Sequence, residues 1–166
     1  MAVSPSCIQP LAEAPLAAID AVMELNQQHV AELSEMDELQ LARLVAVSFR
    51  AIVACDGDAF LLAFEQDAAY DSSNFHWFKC RYRRFVYVDR LAVAPAARGK
   101  GLAKQLYGDL FAAAAAAGHS LITCEVNVEP LNAPSDALHA ALGFEEVGRA
   151  RLQSGKLVRY LCRSLA

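Results

Sequence analysis

The chain has 166 residues, 55% of them hydrophobic and 20% charged, with a formal net charge of −4. This length and apolar fraction predict one domain over residues 1–166 and exclude a disordered composition, while no apolar run nears the ~20 residues that span a bilayer. Charge is uneven: residues 1–78 hold 12 acidic and two basic side chains, and residues 79–166 hold 13 basic and seven acidic ones, so the acidic part repels nucleic acid and the basic part invites a phosphorylated small molecule.

The start, Met1-Ala2-Val3-Ser4-Pro5, has neither a basic n-region nor a following apolar h-region, and the expectation is a cytoplasmic chain. Cysteine usage points the same way. Cys7, Cys55, Cys80, Cys124 and Cys162 are odd in number and far apart, with no Cys-x-x-Cys pair, so neither a disulfide framework nor a zinc site is expected. His29, His76 and His119 have no metal-ligand spacing, and no metal is expected.

A first helix is predicted from about Pro15 to Gln28, with Leu16, Ile19, Val22, Met23 and Leu25 on one face. A second begins at Ser34, where Ser34-Glu35-Met36-Asp37 resembles a capping box. Strands Ser48–Cys55 and Ala59–Phe64 flank the turn Asp56-Gly57-Asp58. The polar-aromatic stretch from Tyr70 to Arg84 has no clear period; its Tyr70 to Trp77 part is a candidate wall for an acceptor pocket. Its basic run Lys79 to Arg84 reads as solvated or cofactor-facing and not as a nucleic-acid platform.

Phe85 to Val93 is a strong strand, in which alternation places Asp89 on the side of Tyr87 and Leu91, as an ion-pair member or an acceptor-binding carboxylate. A helix over about 101–117 follows, its alanines 112–117 read as a close-packed face and Gly118 as its terminator. Then come a strand from Leu121 to Asn127, a helix over about 134–142, and strands Glu145–Arg151 and Leu157–Arg163. The pattern is α/β with a mixed sheet: strand–helix–strand in the middle implies a parallel pair, and hairpins at either end imply antiparallel neighbours.

The stretch Val93 to Lys104 joins a buried strand to a helix N-terminus. Small residues at 99, 101 and 103 let backbone N–H groups approach a ligand, and the unpaired amides of the first helical turn favour an anion such as phosphate. Neither common nucleotide loop fits, since the Gly-Lys-Ser/Thr ending is absent and Lys104 stands where a dinucleotide fingerprint has Gly or Ala. What remains is Arg98-x-x-Gly101-x-Ala103.

That motif resembles the loop of the GCN5-related N-acetyltransferase (GNAT) superfamily. The resemblance continues in Asn132 to Phe144, where an Asn, a small residue and then Leu-Gly-Phe keep the family spacing but His139 occupies the usual Tyr position. It covers about residues 85–147 and implies a mostly antiparallel central sheet, one parallel strand pair at the CoA site, and helices on both faces. It also implies acetyl-CoA as cosubstrate, with Leu91 and Val93 as strand contacts, Arg98, Gly99, Lys100, Gly101, Ala103 and Lys104 as the diphosphate loop, and Asn132 and Ser135 beside them.

By the same resemblance Glu125 is the candidate base that deprotonates an acceptor amine. Alternation puts it on one face with Thr123 and Asn127, with Cys124 on the other; a hydrogen-bonded structural carboxylate is the plainer reading. His139 is the candidate acid for the departing thiolate, its ordinary pKa of about 6.5 lying nearer working pH than a phenol's ~10, or else a packed helix residue with a neutral hydrogen bond. Backbone N–H near Val93 is the candidate oxyanion donor.

The implied activity is acetyl transfer to a primary amine of a small molecule or protein, the acceptor expected to be cationic because the acidic N-terminal part borders its side. The partners expected are acetyl-CoA and that amine, without nucleic acid or membrane, in a monomer or homodimer. Transfer of another acyl group or to a hydroxyl, and an acyl-CoA-binding sensor without catalysis, are the alternatives.

Overall fold

The computed structural model describes residues 7–165; the leader reading made on Met1 to Pro5 lies outside them. In chain order the elements are β1 (Ile8–Pro10), α1 (Leu16–Gln28), α2 (Glu38–Val47), β2 (Arg50–Ala54), β3 (Ala59–Glu65), α3 (Ser73–Lys79), β4 (Val86–Val93), α4 (Leu102–Ala116), β5 (Leu121–Glu129), α5 (Ala133–Ala141), β6 (Glu145–Arg151) and β7 (Leu157–Ser164). The strands form one sheet ordered β1-β2-β3-β4-β5-β7-β6. Only β4 and β5 pair in parallel, with α4 as their crossover, and every other neighbour is antiparallel.

Helices cover both faces because the strands are apolar on both. On one side, Leu102, Leu106 and Leu110 of α4 bury against Ile52, Leu61, Val86 and Ile122, with α5 contributing Leu138. On the other, Val22 and Leu25 of α1 and Leu41 of α2 pack on Val53, Phe60 and Leu62, while Phe75 and Phe78 of α3 meet Phe85, Tyr87 and Tyr160. Among alanines 112–117 only Ala114 is fully buried, so that run presents one packed position per turn, not a close-packed face.

Three expectations are corrected. Helix α2 starts at Glu38, because Asp37 and Gln40 form the capping box and the Ser34 carbonyl instead accepts from Asn26 and Arg90. The unassigned aromatic stretch contains α3, capped by the Ser72 hydroxyl accepting from Phe75 N–H. Cys7 and Cys55 form a disulfide with Cα atoms 5.2 Å apart; β1 runs antiparallel to β2, and Ile8 opposite Ala54 places the two cysteines side by side at the strand ends. A separation of 48 residues held no local sign of that pairing, and the cysteine-based argument for a reducing compartment falls with it. The turn after Cys55 carries left-handed backbone at Cys55 and Asp56, and Gly57 passes so close to α1 that a Cβ there would sit 2.4 Å from the Ala21 methyl.

No helix among the described residues is long and apolar enough to cross a membrane.

Candidate active site

The site begins with an irregularity in β4. Leu62 pairs with Arg90 and the next residue, Ala63, pairs with Val88, so Asp89 is an extra residue that β3 leaves unmatched. Such a bulge bends the strand and reverses its alternation. Asp89 and Arg90 consequently lie on the same side, which explains how sequence neighbours in a strand come within 3.2 Å as an ion pair. Asp89 shares the side of Tyr87, as alternation predicts, but Leu91 has crossed to the α4 side.

Just ahead of the bulge, β4 and β5 part. Their ladder consists of Val86 with Ile122 and Tyr87 with Thr123, so the β5-facing edge of β4 from Val88 onward has no strand partner and its polar backbone is available to a ligand. Below that edge lies a groove of about 760 Å³. Leu91, Ala92 and Val93 form one wall, Arg98, Gly99, Gly101, Ala103 and Lys104 the second, and Asn132, Pro134, Ser135 and Leu138 the third. Gly99 and Gly101 have left-handed φ values of 79° and 77°, and a Cβ on either would meet nothing within 4 Å. The loop thus keeps open space in front of the α4 amides.

A smaller cavity of about 90 Å³ occupies the split itself. Val88, Asp89 and Leu91 line it from β4, Cys124 to Asn127 from β5, Tyr107 from α4 and His139 from α5. Glu32, Leu33, Leu91, Asn132 and Ser135 line both spaces, so the groove leads to the cavity.

Glu125 is held by two donors, one of them braced from behind. Tyr87 Oη donates to its Oε2 at 2.8 Å, Asn74 Nδ2 donates to Oε1 at 3.0 Å, and Tyr160 Oη in turn fixes the Asn74 carbonyl at 2.9 Å. Burial outweighs these donors and pushes the carboxyl up to about 8, with the Asp89 charge adding to the rise. Asp89 accepts from Tyr70 Oη, and burial raises it too, against the lowering by Arg90 and Tyr70. Arg90 Nη1 donates to Asn26 Oδ1 at 2.8 Å and to the Ser34 carbonyl at 2.7 Å, which anchors the loop between α1 and α2 that carries Glu32 and Leu33.

On the far side of the split, His139 is buried at 5% exposure. Its Nδ1 lies 2.7 Å from the Ser135 carbonyl and its Nε2 lies 2.6 Å from Tyr107 Oη. A carbonyl can only accept, so Nδ1 carries the hydrogen and neutral Nε2 accepts from the phenol. Burial lowers the His139 pKa and lifts the Tyr107 phenol well above its usual value.

The family model described as "Acetyltransferase (GNAT) family" matches residues 29–144. The chain belongs to the GNAT acetyltransferase family. A search of curated proteins finds no match. Solved structures share the fold of this GNAT chain at low identity. Ard1 from Thermoplasma volcanium superposes with a TM-score of 0.74 at 12% identity, covering 98% of this chain and 99% of that one. The ribosomal-protein-S18-alanine N-acetyltransferase from Escherichia coli gives 0.65 at 17%, covering 96% and 93%, and Arabidopsis thaliana NAA60 in complex with acetyl-CoA gives 0.66 at 18%, covering 95% and 98%.

In this GNAT fold the residues singled out by sequence gather in two places. Leu91, Val93, Arg98, Gly99, Gly101, Ala103, Lys104, Asn132 and Ser135 line the groove, whereas Lys100 is exposed in the loop and does not. Asn132 also caps α5, its Oδ1 accepting from Ser135 N–H at 3.3 Å. Glu125 and His139 reach the small cavity from opposite faces of the sheet. Cys124 lies on the α4 side, away from the Glu125 network, as alternation predicts, and burial raises its thiol pKa. The run Lys79 to Arg84 lines neither space; Arg81 stacks on Trp77 at 3.8 Å and Arg84 donates to the Ala117 carbonyl. Among the described residues no group of three or more His, Cys, Asp or Glu forms a metal site. Sequence reasoning missed Tyr107, Asn74, Glu32 and His29, the last of which accepts from Arg98 Nη2 across the groove at 3.3 Å.

Proposed function

We propose that this GNAT-family protein moves the acetyl group of acetyl-CoA to a primary amine, of a small molecule or a protein, by direct attack. The observation that carries the reading is the continuity of a diphosphate-sized groove with a small cavity lined by carboxylates where β4 and β5 part. The groove fits the cosubstrate: Arg98 and Lys104 meet negative charge, the open space at Gly99 and Gly101 admits a diphosphate to the α4 amides, and the unpaired edge of β4 suits the amides of the pantetheine arm. When bound, acetyl-CoA supplies the activated acyl carbon.

Glu125 acts as the base. Its raised pKa makes it a competent proton acceptor near neutral to mildly alkaline pH, and Tyr87 and Asn74 fix its direction. Backbone N–H on the free edge of β4 stabilises charge on the acyl oxygen, and the proton for the departing sulfur comes from the α4–α5 side, where His139 stands.

The acceptor is cationic in this reading. Glu32, Asp89 and Glu125 all line the small cavity, and such a cluster attracts an ammonium group. Only Glu32 comes from the acidic N-terminal part, so local gathering of acids, and not the charge of a whole segment, supports the choice. Relatives named for acylating alanine of a ribosomal protein or an aminoglycoside amine agree with an amine acceptor. The engaged nitrogens of His139 favour, as second reading, an acyl-CoA-binding domain without turnover.

Thiol release from acetyl-CoA across a panel of cationic and neutral amines separates the two. Turnover that is faster for cationic amines, and that added salt slows most for them, supports the proposal. Tight CoA binding without thiol release, unaltered by E125Q, overturns it.

A further inference from the structure

The bulge residue Asp89 brings an unsatisfied oxygen into the site. Its side chain is only 9% exposed. Oδ1 accepts from Tyr70 Oη, but Oδ2 has no hydrogen-bond donor among the described residues. Arg90 Nε stands 3.2 Å from that oxygen and is itself left without an acceptor, so the pair is balanced in charge while a lone pair on Oδ2 goes unused. Arg90 Nη1 turns away, to Asn26 and the Ser34 carbonyl. A buried carboxylate oxygen in that state calls for an N–H donor. Asp89 lines the small cavity, so the donor has room to come from a ligand.

Glu125 lines the same cavity, and the two acids cannot serve one nitrogen. The nitrogen that attacks must give up a proton to Glu125 and present a lone pair, whereas the group that satisfies Asp89 must keep its N–H. The acceptor therefore carries a second donor. Charge makes that donor an ammonium: Glu32, where groove and cavity join, has no ion-pair partner among the described residues and adds to the negative field there. Size limits the rest. The cavity of about 90 Å³ has the volume of about three waters at ~30 Å³ each, and its roof is pinned. Lys156, in the turn between β6 and β7, donates to the Ala31 carbonyl and Arg90 to the Ser34 carbonyl; Glu32 and Leu33, which line the cavity, lie between these anchors. A short chain fits beneath them and a polypeptide does not.

We propose that the acceptor is a small free diamine, held at Asp89 Oδ2 by one ammonium while its other nitrogen reacts beside Glu125. This rests on the acetyl-transfer reading above. The diamine arrives doubly protonated. The reacting ammonium gives one proton to Glu125, its lone pair bonds to the acyl carbon, and the carbon–sulfur bond breaks with its electron pair on sulfur. A second proton from the same nitrogen ends on that thiolate, the third stays on the amide, and Glu125 passes its proton to solvent. The products are CoA thiol, a singly acetylated monocation and one proton, so atoms and charge balance.

Thiol release from acetyl-CoA is measured for the full-length wild type with trimethylenediamine, propanolamine and butylamine, which share chain length and differ only at the far end, and with a short alanine peptide. The diamine is expected to exceed each of the others in kcat/KM by about 10- to 100-fold, the range of a charged hydrogen bond, with the difference carried by KM. D89N, checked for folding by thermal melt, is expected to bring that preference within about threefold. Butylamine or propanolamine equal to the diamine, or a faster peptide, overturns the diamine assignment while leaving the transferase reading standing. A preference kept in folded D89N overturns the role of Asp89. Acetyl-CoA binding without thiol release to any acceptor overturns the transferase reading and the diamine with it. If D89N does not fold, the wild-type ratios alone decide.

Discussion

Asn74 joins Glu125 to Tyr160, donating to one at 3.0 Å and accepting from the other at 2.9 Å. It lies on α3, the short helix that packs the aromatic face, so a helix that lines neither the groove nor the small cavity positions the proposed base. A donor to the charged form holds a carboxyl pKa down, and Asn74 does so here against the upward push of burial. N74L should therefore move the acid limb of the kcat/KM profile upward by roughly one pH unit, from a lost charged hydrogen bond of about 1.5–3 kcal/mol, with the plateau largely kept. An unmoved limb in folded N74L would show that the contact does not tune the base.

For the wild type, kcat/KM should fall with decreasing pH below about 8, where Glu125 becomes protonated, and E125Q should lose about 10²- to 10⁴-fold on the plateau. The same group sets a stability trend. Its pKa is raised from 4.5 to about 8 on folding, so the folded state holds the proton more tightly and stability relative to E125Q declines as pH rises across that interval. Thermal melts of both chains from pH 4 to 9 check the sign; a difference that grows with pH in the wild type's favour contradicts it.

Gly101 begins α4 with φ 77° and open space where a side chain would project. G101E should remain folded, since a left-handed non-glycine residue costs only roughly 1–2 kcal/mol, but its carboxylate meets the diphosphate at the helix N-terminus. Calorimetry should show acetyl-CoA affinity reduced by about 100-fold or more, with G101A retaining most of it. Unchanged affinity in folded G101E removes the loop from the cosubstrate site.

Arg90 and Asp89 have side chains only 9% exposed. R90M leaves the carboxylate without its cation and Asn26 without its donor, and should destabilise the fold by about 3–5 kcal/mol, the usual range for breaking a buried pair. Urea unfolding measures it, and a loss below about 1 kcal/mol would show the pair to be dispensable. Because Arg90 also holds the Ser34 carbonyl, the acceptor KM should rise in the surviving folded enzyme.

The parts legible in the sequence are those written locally. The Arg98-x-x-Gly101-x-Ala103 loop needs only a turn and a helix start, and the strand–helix–strand order around it foretells the parallel pair. Tyr107 was not legible, because in α4 it reads as one more core residue; its meaning comes from His139, 32 positions away. Asn74 was hidden for a similar reason, in a seven-residue helix too short to set a period. The α2 cap was misplaced by three residues because Ser34 and Asp37 both look like N-caps, and only the Arg90 contact decides between them. The Cys7–Cys55 bond depends on a strand pairing that the three-residue β1 does not announce.

The bulge at Asp89 gives one strand two parities. Before it, even-numbered Val86 and Val88 face α4; after it, odd-numbered Leu91 and Val93 do, while Arg90 and Ala92 turn to the α1 side. A single extra residue thereby lets odd-numbered Tyr87 reach the Glu125 network and odd-numbered Leu91 and Val93 reach the groove on the other face, and its removal would bring the two halves of the strand into a common phase.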